Sequence, residues 1–204
     1  MRLATLAALT LLAAPAAQAE TAIVAGGCFW CVEADFESVE GVGDVVSGFT
    51  GGTTPAPEYR ASGDHIEAAR IPFDENTVSY GQILDLFFRS IDPLDADGQF
   101  CDRGHEYTTA VWVDGPEQRA EAEAAKARAE AELGQSIVTP ILDAGEFYPV
   151  GDYHQDYYKS DERLVFSSVG VGVPKKDAYK RYRAGCGRDA RVFEIWGDSA
   201  PFVG

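Results

Sequence analysis

Ala25-Gly26-Gly27-Cys28-Phe29-Trp30-Cys31-Val32-Glu33 joins a strand end, a turn and a helix start. The β-branched run Thr21-Ala22-Ile23-Val24-Ala25 leads into the two glycines, and the pattern predicts a helix from Cys31 to about Val39. Cys28 therefore stands where a helix opens, and free N–H groups with the positive dipole end favour a thiolate there. Gly26 and Gly27 permit a tight turn and a close approach of another backbone. Phe29 and Trp30 set apolar, polarisable surface beside the sulfur, suited to a thioether-like or methyl-bearing group. A buried cysteine in a strand-turn-helix is the plain packing alternative. It leaves two aromatics and a second thiol in a turn that needs neither.

The chain has 204 residues, enough for one well-cored domain. Met1-Arg2, the apolar run Leu3 to Ala14, Pro15 and Ala17-Gln18-Ala19 have the form of an export leader, predicting removal of residues 1–19 and a single domain over 20–204. The apolar run is too short to span a bilayer comfortably, so a periplasmic or secreted protein with no membrane contact after cleavage is expected. The formal net charge of −16 argues against nucleic acid and anionic membrane as partners. Four cysteines, Cys28, Cys31, Cys101 and Cys186, follow the leader. A Cys28–Cys31 bridge would close a minimal loop and constrain little chain. The pair is better placed for redox exchange or metal binding than for stability.

Further along, Asp44 to Phe49 and His65 to Phe73 read as strands flanking a Gly/Pro loop that ends near Tyr59. Ser79-Tyr80-Gly81-Gln82 has capping-box spacing, and Ile83, Leu84, Phe87, Phe88 and Ile91 then share a helical face. Asp92 to Tyr107 reads as a polar loop and Thr108 to Val113 as a strand. Pro116 to Leu133 reads as a helix stopped by Gly134, and Ser136 to Leu142 as a further strand. Beyond Phe147 periodicity fades and an irregular tail is expected. Short strands interleaved with helices indicate an α/β sandwich with a mixed sheet.

Gly27-Cys28-Phe29-Trp30, Gly48-Phe49-Thr50-Gly51-Gly52, His65-Ile66-Glu67-Ala68, Asp102-Arg103-Gly104-His105-Glu106-Tyr107 and Asp152-Tyr153-His154-Gln155 occur in that order. Together they resemble the A-type peptide-methionine (S)-sulfoxide reductases over nearly the whole chain after the leader. The resemblance implies a ferredoxin-like two-layer α/β (α+β) sandwich with a long coil-rich C-terminal segment. It implies Cys28 as nucleophile, Glu67 as acid, and Tyr59 and Tyr107 as hydrogen-bond donors to the sulfoxide oxygen. It also places Phe29 and Trp30 around the substrate methyl and gives Asp102 a part in fixing the substrate. The substrate would be methionine sulfoxide, free or in oxidised proteins, and the reductant a thioredoxin-like partner. A monomer is the expected state, with no cofactor.

The chemistry needs these residue types. Attack by a thiolate on a sulfoxide sulfur pushes electrons onto oxygen, a poor leaving group until protonated. The cysteine emerges as a sulfenic acid, and a second thiol condenses with it to a disulfide that an external reductant reopens. Two departures from the family pattern stand out. Cys31 replaces a usual glycine, and Val150-Gly151 replaces a common Ala-Glu. The first leaves the resolving thiol open. Cys186, in Arg183-Ala184-Gly185-Cys186-Gly187-Arg188, lies in a setting like that of the family's recycling cysteine, where the flanking glycines would let it swing towards Cys28 and Arg183 and Arg188 should favour its thiolate. It is expected to resolve Cys28, with Cys31 as alternative or relay. Cys101 is expected to have a packing or pocket role. Two rival readings are a thioredoxin-like exchanger using Cys28 and Cys31, and a zinc module using Cys28, Cys31, Cys101 and His105.

Overall fold

The computed structural model describes residues 20–165 and 170–203; the leader expected over residues 1–19 lies outside them. Among the described residues the elements run β1 (Glu20–Gly26), α1 (Phe29–Phe36), β2 (Val46–Thr50), β3 (Ile66–Phe73), α2 (Tyr80–Arg89), β4 (Gly98–Gln99), β5 (Asp102–Arg103), β6 (Thr109–Val113), α3 (Gly115–Leu133), β7 (Ile141–Asp143), β8 (Tyr148–Pro149), α4 (Lys175–Cys186) and α5 (Arg188–Trp196). Six strands form a mixed sheet in the order β7-β6-β1-β3-β2-β8. Its inner four, β6-β1-β3-β2, have the strand order and antiparallel pairing of a ferredoxin-like plait. Only the β6–β7 pair is parallel. No helix among the described residues is long and apolar enough to cross a membrane.

Alternation along the strands sends Val24, Ala69, Ile71, Phe73, Val111 and Val113 to one face of the sheet. There they meet Val32 and Phe36 of α1 and Ile83, Leu84, Phe87 and Phe88 of α2, all buried. The capping box forms as its spacing predicts: Ser79 accepts from the Gln82 N–H, and the Gln82 side chain accepts from the Ser79 N–H. Helix α3 buries only Ala122, Ala125 and Ala129, a narrow stripe that leaves its many charges in water. Gly134 ends it in the left-handed conformation, φ 66°.

Three stretches differ from the sequence reading. The strand expected from Ser136 shortens to Ile141–Asp143, because Pro140 has no N–H for the ladder and contributes only its carbonyl, to Val111 N–H. The polar loop after Asp92 contains the small β4–β5 hairpin and a 3₁₀ turn at His105–Tyr107. The tail is irregular from Gly151 only as far as Pro174, within its described part, and then forms α4 and α5. Their buried apolar faces are thin, Ala178 and Tyr179 on α4 and Val192 and Trp196 on α5, so a charged sequence hides the period. Trp196 anchors α5 in the main core, donating its indole N–H to the Ile91 carbonyl at 3.1 Å.

Candidate active site

The glycine turn after β1 is fixed by its surroundings. Gly27 sits at φ 78°, and a Cβ there would lie 2.6 Å from Cβ of Gln99. Gln99 has no room to yield: fully buried, it accepts from Asp92 N–H and donates to the Asp92 and Gly98 carbonyls. Gly27→Ala is expected to cost about 1–3 kcal/mol in urea unfolding, from left-handed strain and overpacking together.

That turn makes Cys28 the N-cap of α1, with its carbonyl accepting from the N–H groups of Cys31 (3.1 Å) and Val32 (3.4 Å). Cys28 and Cys31 are both free thiols and both buried. The thiolate expected from the helix start is opposed by this burial, which pushes the Cys28 thiol well above its ordinary pKa, with Cys31 and Glu67 adding to the shift. Cys31 moves the other way. Its hydrogen bond with Cys28 lowers it, and the guanidinium charges of Arg188 and Arg183 lower it further. Those two arginines, expected beside the Cys186 thiol, instead flank buried Asp35. Arg183 Nη1 donates to Asp35 Oδ1 at 2.6 Å, and Arg188 donates to the Gly26 and Ser90 carbonyls.

Cys28, Phe29, Trp30, Tyr59, Glu67, Asp102 and Tyr107, drawn from four separate stretches of chain, line one cavity of about 70 Å³. Glu67 reaches it because β3 pairs Glu67 with Phe49 of β2, and the Phe29 N–H donates to Glu67 Oε2 at 3.0 Å. Burial raises the Glu67 pKa well above its ordinary value and the Phe29 N–H only partly offsets it, which favours the protonated form. Tyr59 arrives on the β2–β3 loop, which Asp64 staples by accepting from the N–H and hydroxyl groups of Thr53 and Thr54. Tyr107 closes the 3₁₀ turn. Burial raises both phenols above their usual pKa, so both remain donors.

The aromatic wall extends behind the cavity. Trp30 stacks on Tyr157 with ring centroids 4.0 Å apart, and His154 lies 4.0 Å from the Tyr59 ring. Burial lowers the His154 pKa to about 4, so its ring packs as a neutral group. Val150 is buried with Phe29 and Phe49, whereas Gly151 has open space where a side chain would stand. A larger cleft of about 480 Å³ lies on the opposite face of the sheet around Arg70, Trp112 and Phe147, away from every cysteine.

Two cysteine expectations are corrected. Cys186 is not a thiol on a swinging segment: it closes α4, and Gly187 caps the helix at φ 73°. Its sulfur is bonded to Cys101, which is therefore no simple packing residue. With Cys101 so bonded and the Nε2 of His105 facing the Asp64 carbonyl, Cys28, Cys31, Cys101 and His105 do not gather as a zinc set among the described residues. Sequence reasoning missed one cavity residue, Tyr182. Its signal was its place four residues before Cys186, one turn along a helix hidden in the charged tail.

A cysteine beside a buried carboxyl and two phenols, inside an aromatic cup, defines a thiol-dependent reductase site. Comparison with known proteins agrees. The family model described as peptide methionine sulfoxide reductase matches residues 20–184. A peptide methionine sulfoxide reductase MsrA 2 of Rhizobium meliloti is 47% identical over 192 residues, covering 93% of this chain and 90% of its own. The solved methionine sulfoxide reductase A of Corynebacterium diphtheriae superposes with a TM-score of 0.62 at 27% identity, over 78% of this chain and 85% of that one. Mxr1 of Saccharomyces cerevisiae in reduced form shares the fold, with a TM-score of 0.65 at 23% identity over 69% and 84% of the two chains. That yeast protein has also been solved in complex with Trx2. The chain belongs to the peptide methionine sulfoxide reductase family, whose reaction returns methionine sulfoxide to methionine.

Proposed function

We propose that Cys28 attacks the sulfur of a bound methionine S-sulfoxide while Glu67 delivers a proton to its oxygen and Tyr59 and Tyr107 stabilise the charge developing there. Phe29 and Trp30 receive the methyl group, and Asp102 fixes the substrate at the rim. Methionine leaves, and Cys28 keeps the oxygen as a sulfenic acid. The observation that carries this reading is the meeting of these seven side chains around one small cavity.

Cys31 then resolves the sulfenic acid, forming the Cys28–Cys31 bond and releasing water. Its position beside Cys28 and the two arginine charges that favour its thiolate support this choice over Cys186, which is bonded to Cys101. An external dithiol protein of the thioredoxin kind reopens the bridge. The Trx2 complex of the yeast relative and the redox chemistry of a C-x-x-C disulfide support that partner. Residues 20–204 act as one reductase domain, monomeric, on free methionine sulfoxide and on oxidised proteins. The chain is exported, for which the leader-like residues 1–19 are the support; N-terminal sequencing of the natural protein should begin at Glu20, and an intact Met1 would refute export by cleavage.

A cavity with its methyl cup and its oxygen donors at fixed places admits one hand of a chiral sulfoxide. Initial rates on resolved epimers of a methionine sulfoxide peptide test this. The resemblance to the A-type reductases implies which hand: the S-epimer should turn over and the R-epimer negligibly, while comparable rates would overturn the assigned arrangement.

A further inference from the structure

Tyr182 lines the reaction cavity beside Cys28, and no part of the mechanism above uses it. It stands on α4 with its ring edge-on to Trp30, centroids 6.3 Å apart at 87°. Its hydroxyl donates a short hydrogen bond to Asp102 Oδ2, and its ring packs against the buried cluster that holds Cys28. Two successive loop residues thus meet two residues one turn apart on α4. Cys101 is bonded to Cys186, and Asp102 is hydrogen-bonded to Tyr182. The disulfide braces the hydroxyl against the carboxylate, on the wall of the cavity that Cys28 also lines.

The reaction poses a question that this arrangement answers. Cys28 is buried and its thiol holds its proton, yet it must attack as a thiolate. Glu67 is committed to the sulfoxide oxygen, with its Oε2 already accepting from the Phe29 N–H. We propose that Tyr182 is a catalytic residue that relays the Cys28 thiol proton to Asp102 as Cys28 attacks the sulfoxide. The S–H proton passes to the Tyr182 oxygen, the Tyr182 proton passes to Asp102 Oδ2, and the sulfur electron pair forms the bond to substrate sulfur. Glu67 simultaneously protonates the sulfoxide oxygen. Asp102 ends neutral and Glu67 ionised, and exchange with solvent restores both, so protons balance over the cycle. Burial raises the pKa of Asp102, which makes it a stronger base than a surface carboxylate, while the Tyr182 hydrogen bond and the Arg188 charge act the other way. The groups facing this chain are Cys31 and Glu67 at Cys28, and Arg188 at Asp102. The inference rests on Cys28 as the nucleophile.

The test is the pH profile of single-turnover methionine formation at saturating substrate. Tyr182→Phe keeps the ring against Trp30 and removes the hydroxyl. The rate at neutral pH should fall on the order of 10²-fold, as for loss of a positioned proton acceptor. The rising limb should move to higher pH, where hydroxide deprotonates the thiol instead. A variant that merely loosened Asp102 would raise KM and leave the saturated rate and limb in place, and that outcome would overturn the relay. Incorporation of 2,3-difluorotyrosine at position 182 preserves size and acidifies the phenol. It should move the same limb even where Tyr182→Phe folds poorly, and an unmoved limb in the fluorinated protein would also overturn the proposal. Cys28→Ser separates the two readings. A variant still active in single turnover defeats Cys28 as nucleophile, whereas an inactive one beside unchanged Tyr182 variants defeats the relay alone.

Discussion

Glu67→Gln is expected to lower the single-turnover rate on the order of 10²-fold or more, with binding of the sulfoxide substrate little changed. The amide preserves the shape of the acid and can still accept the Phe29 N–H at Oε1, but it has no acidic proton to give the departing oxygen. The pH dependence follows from the direction of the shift. Burial raises the Glu67 pKa, so its protonated, active form persists to higher pH than in an ordinary carboxyl and is lost as pH rises through the raised value. Wild type should therefore show a falling limb at high pH that Glu67→Gln lacks. A stopped-flow or quenched single turnover across that range measures both features. An unchanged rate in folded Glu67→Gln would remove Glu67 from the chemistry.

Cys31→Ser should leave one turnover intact and abolish recycling by thioredoxin. One equivalent of methionine forms per enzyme, after which Cys28 remains a sulfenic acid with no adjacent thiol to condense with. The Cys101→Ser/Cys186→Ser double variant should go on recycling, because in the unsubstituted protein those two sulfurs are already joined to each other rather than free to meet Cys28. Product counted against enzyme, with and without thioredoxin and its reductase, distinguishes them. Continued recycling in Cys31→Ser, with loss in the double variant, would return the resolving role to Cys186.

The parts of the fold legible in the sequence are those whose local signal and tertiary role agree. The Ser79–Gln82 box, the Ile83–Phe88 face and Gly134 each say the same thing at both levels, and α2 and α3 fall where expected. The cavity was legible through five motifs in register rather than through any single residue. Glu67 alone reads as a strand carboxylate, and only the β2–β3 register reveals that it is buried under the Phe29 N–H. The C-terminal helices were hidden because they are held by partners far away in sequence. Arg183 pairs with Asp35, Trp196 with the Ile91 carbonyl, and Cys186 with Cys101. No local pattern contains these long-range bonds. For the same reason the charges of Arg183 and Arg188 were read toward the neighbouring Cys186, whereas folding directs them to Asp35 and Cys31. Burial likewise reverses the expected ease of ionising Cys28, since the gain from a helix start is small beside the loss of water around the sulfur.

The claim on which the account turns is that the oxygen of the sulfoxide passes to Cys28. Cys31→Ser enzyme, reduced and freed of reductant, should be mixed with one equivalent of methionine S-sulfoxide peptide and dimedone, then digested and mapped by mass spectrometry. The account predicts one methionine formed per enzyme, one dimedone adduct on Cys28, and an intact Cys101–Cys186 bond if that bond was re-formed beforehand. A dimedone adduct on Cys101 or Cys186, with Cys28 unmodified after a full turnover, would contradict it.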